Sequence, residues 1–270
     1  MTADLHIHSR ASDGQYAPSA LVCLAKTRGI EALALTDHDT MDGLEEAVAA
    51  GRDQGLLVLR GIELGAREHR NLHILGYSFS HEAPGLRELC RALKAGRDER
   101  KYRIADYLRE KGITVSLTEV EELAGGDVIG RPHFAQAMVR RGYVTSIREA
   151  FSRYLDTEEY QRIEREKSDA RSCLEAIKSA GGKTALAHPC QLGYTDERLE
   201  ALVRRLTDDG LDALECFYPQ HTPEQQARYV CMAEKYGLHI TGGSDFHGEA
   251  VKPDIQLAAW ELRLDWLLEK

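Results

Sequence analysis

A chain of 270 residues, 43% hydrophobic and 29% charged, carries enough apolar side chain for one sizeable core with or without a smaller inserted module. Its formal charge of −9 argues against a protein that coats duplex DNA, which needs a net basic face to displace counterions from phosphates. The longest apolar runs, such as 56–59, fall far short of the roughly 20 residues of a membrane helix. No export signal is read at the N-terminus, and six scattered cysteines without a CxxC pair suit reduced, mostly buried thiols, so a cytoplasmic protein is expected.

Along the chain, β-rich runs at 4–8, 31–36, 56–64, 72–77, 183–188, 211–217 and 238–242 predict seven strands. Segments 18–29, 41–54, 169–180, 196–209 and 223–236 place apolar residues at three- and four-residue spacing, as in Leu199, Leu202, Val203 and Leu206, and predict amphipathic helices. Strand and helix in alternation imply parallel βα units, and seven of them favour a barrel over an open sheet. The alternation stops at 84–167, which reads as a helical insertion between barrel segments 1–83 and 168–270. There a long helix (86–111) is followed by shorter ones at 117–123, 132–141 and 147–155. Between 85 and 165 there are 16 Lys/Arg against 14 Asp/Glu, while the rest of the chain has 19 against 30, so an acidic frame carries a mildly basic insert. The charges of the long helix, Arg97 and Arg100 among them, read as a solvated face.

Chemistry-bearing residues gather where strands end. In Asp4–Leu5–His6–Ile7–His8, alternation along a strand puts His6 and His8 on one face and Leu5 and Ile7 in the opposite layer. Asp13 follows in a turn, and the next strand runs into Thr36–Asp37–His38–Asp39. Glu63, His73 and His188 fall on or just after later strands, and Gly242–Gly243–Ser244–Asp245–Phe246–His247 supplies two more groups beside glycines that permit a close turn. Any one of these has an ordinary structural explanation. Nine acids and imidazoles at one end of a parallel sheet, without cations, would repel and desolvate at high cost, so a polynuclear metal site is expected. Asp37 and Asp39 read as acceptors that orient metal-bound imidazoles. The pairs Gly125–Gly126, Gly181–Gly182 and Gly242–Gly243 read as turns or close approaches rather than nucleotide cradles.

These motifs, DLHIHSRASDG at 4–14, TDHDT at 36–40, GIEL at 61–64, LHILGY at 72–77, AHP at 187–189 and GGSDFH at 242–247, resemble those of the polymerase and histidinol phosphatase (PHP) domain phosphoesterases. The resemblance implies a distorted seven-stranded (β/α) barrel with three divalent ions at the C-terminal ends of the strands. His6, His8, Glu63 and Asp245 would hold one ion. Glu63, His73 and His188 would hold a second, and Asp13, His38 and His247 a third. With imidazole and carboxylate donors and no thiolate, Mn²⁺ is the first expectation, with Fe or Zn²⁺ as alternatives.

Ile129–Gly130–Arg131–Pro132–His133–Phe134 in the insert, together with 217–223, resembles the branch of that family acting on nucleoside 3′,5′-bisphosphates and, 5′ to 3′, on oligoribonucleotides. Arg131 and His133 at a helix start, with His221 and, less strongly, Tyr218, are therefore candidate phosphate contacts. Pro132 alone would equally mark an ordinary first helical turn. The implied reaction is hydrolysis of a phosphorylated nucleotide or short oligonucleotide by metal-activated hydroxide, with Glu63 bridging ions and no side-chain nucleophile. Asp245, His247 and His221 remain open as proton sources for the leaving group. A phosphatase for histidinol phosphate or another small monoester is the alternative activity, and a non-catalytic metal-binding regulatory domain the alternative class. Neither a membrane nor an obligate protein partner is expected.

Overall fold

The computed structural model describes residues 1–124, 129–163 and 167–269; the Gly125–Gly126 pair lies outside them. All seven expected strands form: β1 (Thr2–Ile7), β2 (Ala32–Leu35), β3 (Leu57–Gly65), β4 (His73–Tyr77), β5 (Lys183–Leu186), β6 (Ala213–Phe217) and β7 (His239–Gly242). A two-residue β8 (Trp260–Glu261) joins them, giving one sheet in the order β7-β6-β5-β4-β3-β2-β1-β8. Beyond β7 the chain returns to β1, where the Asp245 amide donates to the His6 carbonyl (2.7 Å) and the His8 amide to the Phe246 carbonyl (2.9 Å), so the sheet is a nearly closed barrel.

The strands are not all parallel, as βα alternation predicted. β4 runs antiparallel to both β3 and β5. The seven residues between β3 and β4 are too few for a crossover helix, which a parallel return requires, so the chain turns back as a hairpin. His73 therefore enters from the start of its strand, yet pairs with Gly65 at the C-terminal end of β3.

Two layers of apolar side chains flank the sheet. Ala3, Leu5, Ala32, Ala34, Ala185 and Ala213 fill the interior, where a C-terminal segment containing Leu264, Trp266 and Leu267 plugs the lower end. Leu33, Leu35, Leu186 and Leu214 face outward onto helices α1 (Pro18–Thr27), α2 (Leu44–Gln54), α7 (Ala170–Ser179), α8 (Asp196–Asp208) and α9 (Pro223–Tyr236). β1 departs from simple alternation: its ladder with β2 shifts between Asp4 and Ile7. Leu5 accordingly stays inside with Ala3 while Ile7 joins the outer layer, and His6 and His8 still emerge together above the interior.

The insert comprises α3 (Pro84–Glu110), α4 (Leu117–Ala124), α5 (Arg131–Arg140) and α6 (Ile147–Ala150), the last running into a wider turn at 151–155. Leu86, Cys90 and Leu93 of α3 belong to the barrel core, whereas Ile104 and Leu108 belong to a separate core with Phe134, Met138, Leu155 and Tyr160. One continuous helix thus joins the two bodies. Three of the cysteines (Cys90, Cys173, Cys216) are buried thiols, while Cys23 and Cys231 are exposed. Among the described residues no helix is long and apolar enough to cross a membrane.

Candidate metal centre and substrate cleft

The fold brings all nine sequence-predicted ligands to one end of the barrel. Glu63, fully buried at the end of β3, is their centre. Its Oε2 lies 2.9 Å from His38 Nδ1, 3.1 Å from His8 Nε2 and 3.3 Å from His6 Nε2. Its Oε1 lies 2.6 Å from His73 Nδ1 and 3.0 Å from His188 Nε2. Asp245 Oδ1 is 3.3 Å from His8 Nε2 and 3.4 Å from His247 Nδ1, and His247 Nε2 is 3.3 Å from Asp13 Oδ1. Asp39, His188 and Asp245 all have positive φ, an unfavourable backbone state for residues with a Cβ that is held here by surrounding structure. Gly243 answers a different need: a Cβ there would sit 2.1 Å from His6 Cβ, so only glycine allows β1 and the end of β7 to close.

These groups suit a cation rather than one another. Despite these short distances, His6 Nε2, both ring nitrogens of His8, His38 Nδ1, His188 Nδ1 and Glu63 Oε2 are buried without a well-directed hydrogen bond, which is costly unless a cation lies among them. Among the described residues three sets converge within 4.8 Å: His6, His8, Glu63 and Asp245; His8, Asp13, His38 and His247; and His38, Glu63 and His73. The first is the quartet implied by resemblance. In the others His38 stands between two sets, while His188 lies 3.3 Å from His73.

The electrostatics of the bare site agree. Burial resists protonation of His6, but the carboxylates of Glu63 and Glu215 outweigh it and raise the pKa well above the ordinary value; Asp245 and Glu63 likewise raise His8 to about 9. Burial drives His73 down to about 3 and His247 to about 4. Against their own burial, Asp13 and Glu63 are held well below the usual carboxylate range by the imidazoles, and Asp245 chiefly by Lys252. A set of ionised carboxylates that draws protons onto some imidazoles is one in which positive charge is wanted.

Supporting residues differ in part from expectation. Asp37 does not orient an imidazole: it accepts from the Ser9 amide and hydroxyl (2.8 and 2.6 Å) and from Ser12, fixing the loop that carries Asp13. Asp39 accepts from the Gly65 amide and, at 2.6 Å, from Arg97 Nε. Arg97 is buried, so it is not part of a solvated face. The imidazole-orienting acid is Glu215, which contacts His6 Nδ1 (3.1 Å) and accepts from the His188 amide (2.6 Å). Sequence reading passed over it, although a lone acid inside the apolar strand Ala213–Phe217 is the signal that could have found it.

Above the cluster opens a cleft of about 870 Å³ between barrel and insert, walled by Arg67, Arg70, Arg97, Arg100, Arg131, Lys167 and Lys252. Arg131 lines it as expected, paired with Asp156 at 2.6 Å and lying over the Phe151 ring. His133 does not line it: the ring is 1% exposed, and Nδ1 accepts from the Gly130 amide, closing the start of α5. His221 is also withdrawn, its Nδ1 donating to the Cys216 carbonyl (2.9 Å) and its ring packed between Tyr218 and Tyr229. Tyr218, buried, accepts from Gln191 and donates to Asp245 Oδ2 at 3.3 Å; it supports a candidate ligand rather than facing the cleft. In this conformation Arg131 is thus the one of the four expected phosphate contacts that reaches the cleft.

Comparison with known proteins gives a consistent picture. The model of the family described as PHP domain matches residues 4–178. A 5′-3′ exoribonuclease of Haemophilus influenzae is 34% identical over 90% of this chain and 89% of its own length. A 3′,5′-nucleoside bisphosphate phosphatase of Chromobacterium violaceum is 30% identical over 90% and 86%. A phosphoribosyl 1,2-cyclic phosphate 1,2-diphosphodiesterase of Eggerthella lenta is 34% identical over 92% and 95%. Among solved structures, an amidohydrolase of Chromobacterium violaceum with bound sulfate superposes with a TM-score of 0.88 at 29% identity, covering 97% of this chain and 92% of that one.

Proposed function

The chain belongs to the PHP domain family of metal-dependent phosphoesterases, and on that footing we propose that it hydrolyses phosphate esters carried on ribose, with nucleoside 3′,5′-bisphosphates and short 5′-phosphorylated RNA as preferred substrates. The observation that carries this reading is the stacking of two complementary features in one cleft. At its floor is an acid–imidazole cluster with orphaned buried atoms; on its walls, among the described residues, are seven cationic side chains, more than a single phosphate uses. The relatives named as exoribonuclease and bisphosphate phosphatase support the same substrate class.

In this reading His6, His8, Asp13, His38, Glu63, His73, His188, Asp245 and His247 hold three divalent cations, Mn²⁺ foremost with Fe or Zn²⁺ as alternatives. When bound, such cations supply Lewis-acid charge for the phosphoryl oxygens and activate water near neutral pH. The chain's own residues do the rest. Glu63 offers one oxygen to each side of the cluster, and Glu215 fixes the ring orientation of His6. Arg131 exchanges Asp156 for a second phosphate of the substrate, anchoring it so that the scissile ester lies over the floor. The buried Arg97–Asp39 pair holds the insert against the barrel and keeps that distance fixed. The enzyme acts in the cytoplasm without an obligate protein partner.

The test is phosphate release by manganese-loaded protein from adenosine 3′,5′-bisphosphate, AMP, 5′-phosphorylated short RNA, a ribose cyclic phosphate and histidinol phosphate. Bisphosphate or RNA should dominate, and Arg131→Ala should lower kcat/KM on the bisphosphate by roughly 10- to 100-fold more than on an aryl phosphate. Equal rates on all substrates, or turnover of histidinol phosphate alone, would discard the substrate. Hydrolysis confined to the cyclic ester would favour the second reading, suggested by the relative from Eggerthella lenta.

A further inference from the structure

The segment after His247 carries a lysine that no motif reading singled out. Gly248, at φ +95°, turns the chain back: the Lys252 amide donates to its carbonyl at 2.9 Å and the Val251 amide at 3.1 Å. Val251 and Ile255 are buried on either side, the Ala250 amide is held by Gln15 Oε1, and Glu249 accepts from the Tyr16 hydroxyl. Asp254 pairs with Arg148 of the insert at 3.1 Å. A segment tied down at so many points aims Lys252 at a defined place. Its Nζ donates to Asp245 Oδ2 at 2.7 Å, and the side chain, about one-third exposed, forms part of the cleft lining.

The two oxygens of Asp245 have separate surroundings. Oδ1 faces His6, His8 and His247, whereas Oδ2 faces Lys252 and the Tyr218 hydroxyl. A cation taken up by the imidazole side would leave the Lys252 contact in place. An ammonium has three N–H donors, and among the described residues Asp245 is the acceptor Lys252 meets, so two donors remain on the cleft side. They lie beside the cluster at Asp245, whereas Arg131 lies on the wall that the insert contributes.

We propose that Lys252 is a phosphoryl-binding residue, its ammonium bridging Asp245 Oδ2 and a non-bridging oxygen of the phosphoryl group seated on the cluster floor. It reads the group that reacts, while Arg131 reads a neighbouring one, and its positive charge is placed where negative charge accumulates during phosphoryl transfer. The inference rests on the phosphoesterase reading but not on the identity of the esterified alcohol.

Inorganic phosphate is the probe. Its binding to manganese-loaded wild type, Lys252→Met and Lys252→Arg is measured by isothermal titration calorimetry, with metal content by elemental analysis and folding by thermal melts on the same samples. Lys252→Met should bind phosphate roughly 10- to 100-fold more weakly with unchanged metal content, as expected for the loss of a charge-assisted hydrogen bond, and Lys252→Arg should recover most of the affinity. Unchanged phosphate affinity in Lys252→Met would overturn the proposal, as would a loss that tracks lost metal, since Lys252 would then only neutralise Asp245. If Lys252→Met does not fold, Lys252→Arg and Lys252→Gln decide by the same comparison. Phosphate binding that depends on Lys252 in a protein inactive on ribose esters would sink the proposed substrate and leave this role standing.

Discussion

Asp4 sits wholly buried in β1, its Oδ1 accepting from the amides of Ser244 and His6. Burial is the dominant influence and lifts its carboxyl from 3.8 to about 7, although those hydrogen bonds pull the other way. The folded state therefore holds this proton more tightly than the unfolded chain does. The contribution is fully present below pH 3.8 and is lost as pH rises to about 7. Asp4→Asn keeps an acceptor oxygen and removes the titration. Urea midpoints of metal-free protein should fall less steeply with pH across that window than those of wild type, and parallel profiles would contradict the assignment. At this scale the sequence was legible where chemistry is written in residue type, as in HxH, DHD and SDFH. It was less legible where a role depends on neighbours from distant elements. Glu215 acts only because β6 pairs with β5 and the closing of the barrel brings its side chain to His6 of β1, and His133 looks like an anion donor until its ring is seen closing the first turn of its own helix.

α3 is the element on which the two bodies depend. Its first half packs with the barrel through Leu86, Cys90 and Leu93, its second half with the insert through Ile104 and Leu108, and Arg97 marks the junction. Replacing Arg97 by Met leaves the Asp39 carboxylate, held at positive φ inside the protein, without its guanidinium. The expected loss is about 3 kcal/mol in denaturant unfolding; a loss below 0.5 kcal/mol would mean that the pair does not brace the junction. The helix itself was readable from its apolar spacing, but periodicity cannot say which charged side chain meets a buried partner. Strand positions were also readable, whereas the direction of β4 was not: alternation of strand and helix suggested parallel units, and the decisive clue was the brevity of the link at 66–72.

For the molecule as a whole, the barrel and insert cores predict two regions of hydrogen exchange coupled through one helix. Manganese at a hundredfold excess over its Kd should stabilise the protein by about 2.7 kcal/mol, reversed by chelation. Protection should rise mainly in β1, β3, β5 and the segment around Asp245, and less in 131–155. Equal gains everywhere would show that the two bodies unfold as one. The barrel layout also bears on how the chain matures. The reversed strand β4 divides the sheet into two parallel blocks, β1–β3 and β5–β7. His6, His8, Asp13, His38 and Glu63 come with the first block and His188, Asp245 and His247 with the second, while His73 lies on the dividing strand. A folding intermediate that has built only one block can offer a cation an incomplete set of donors. Full occupancy therefore requires the segment around Asp245 to have docked against β1, so the last donors arrive with the closing of the barrel and metal affinity reports on that closure.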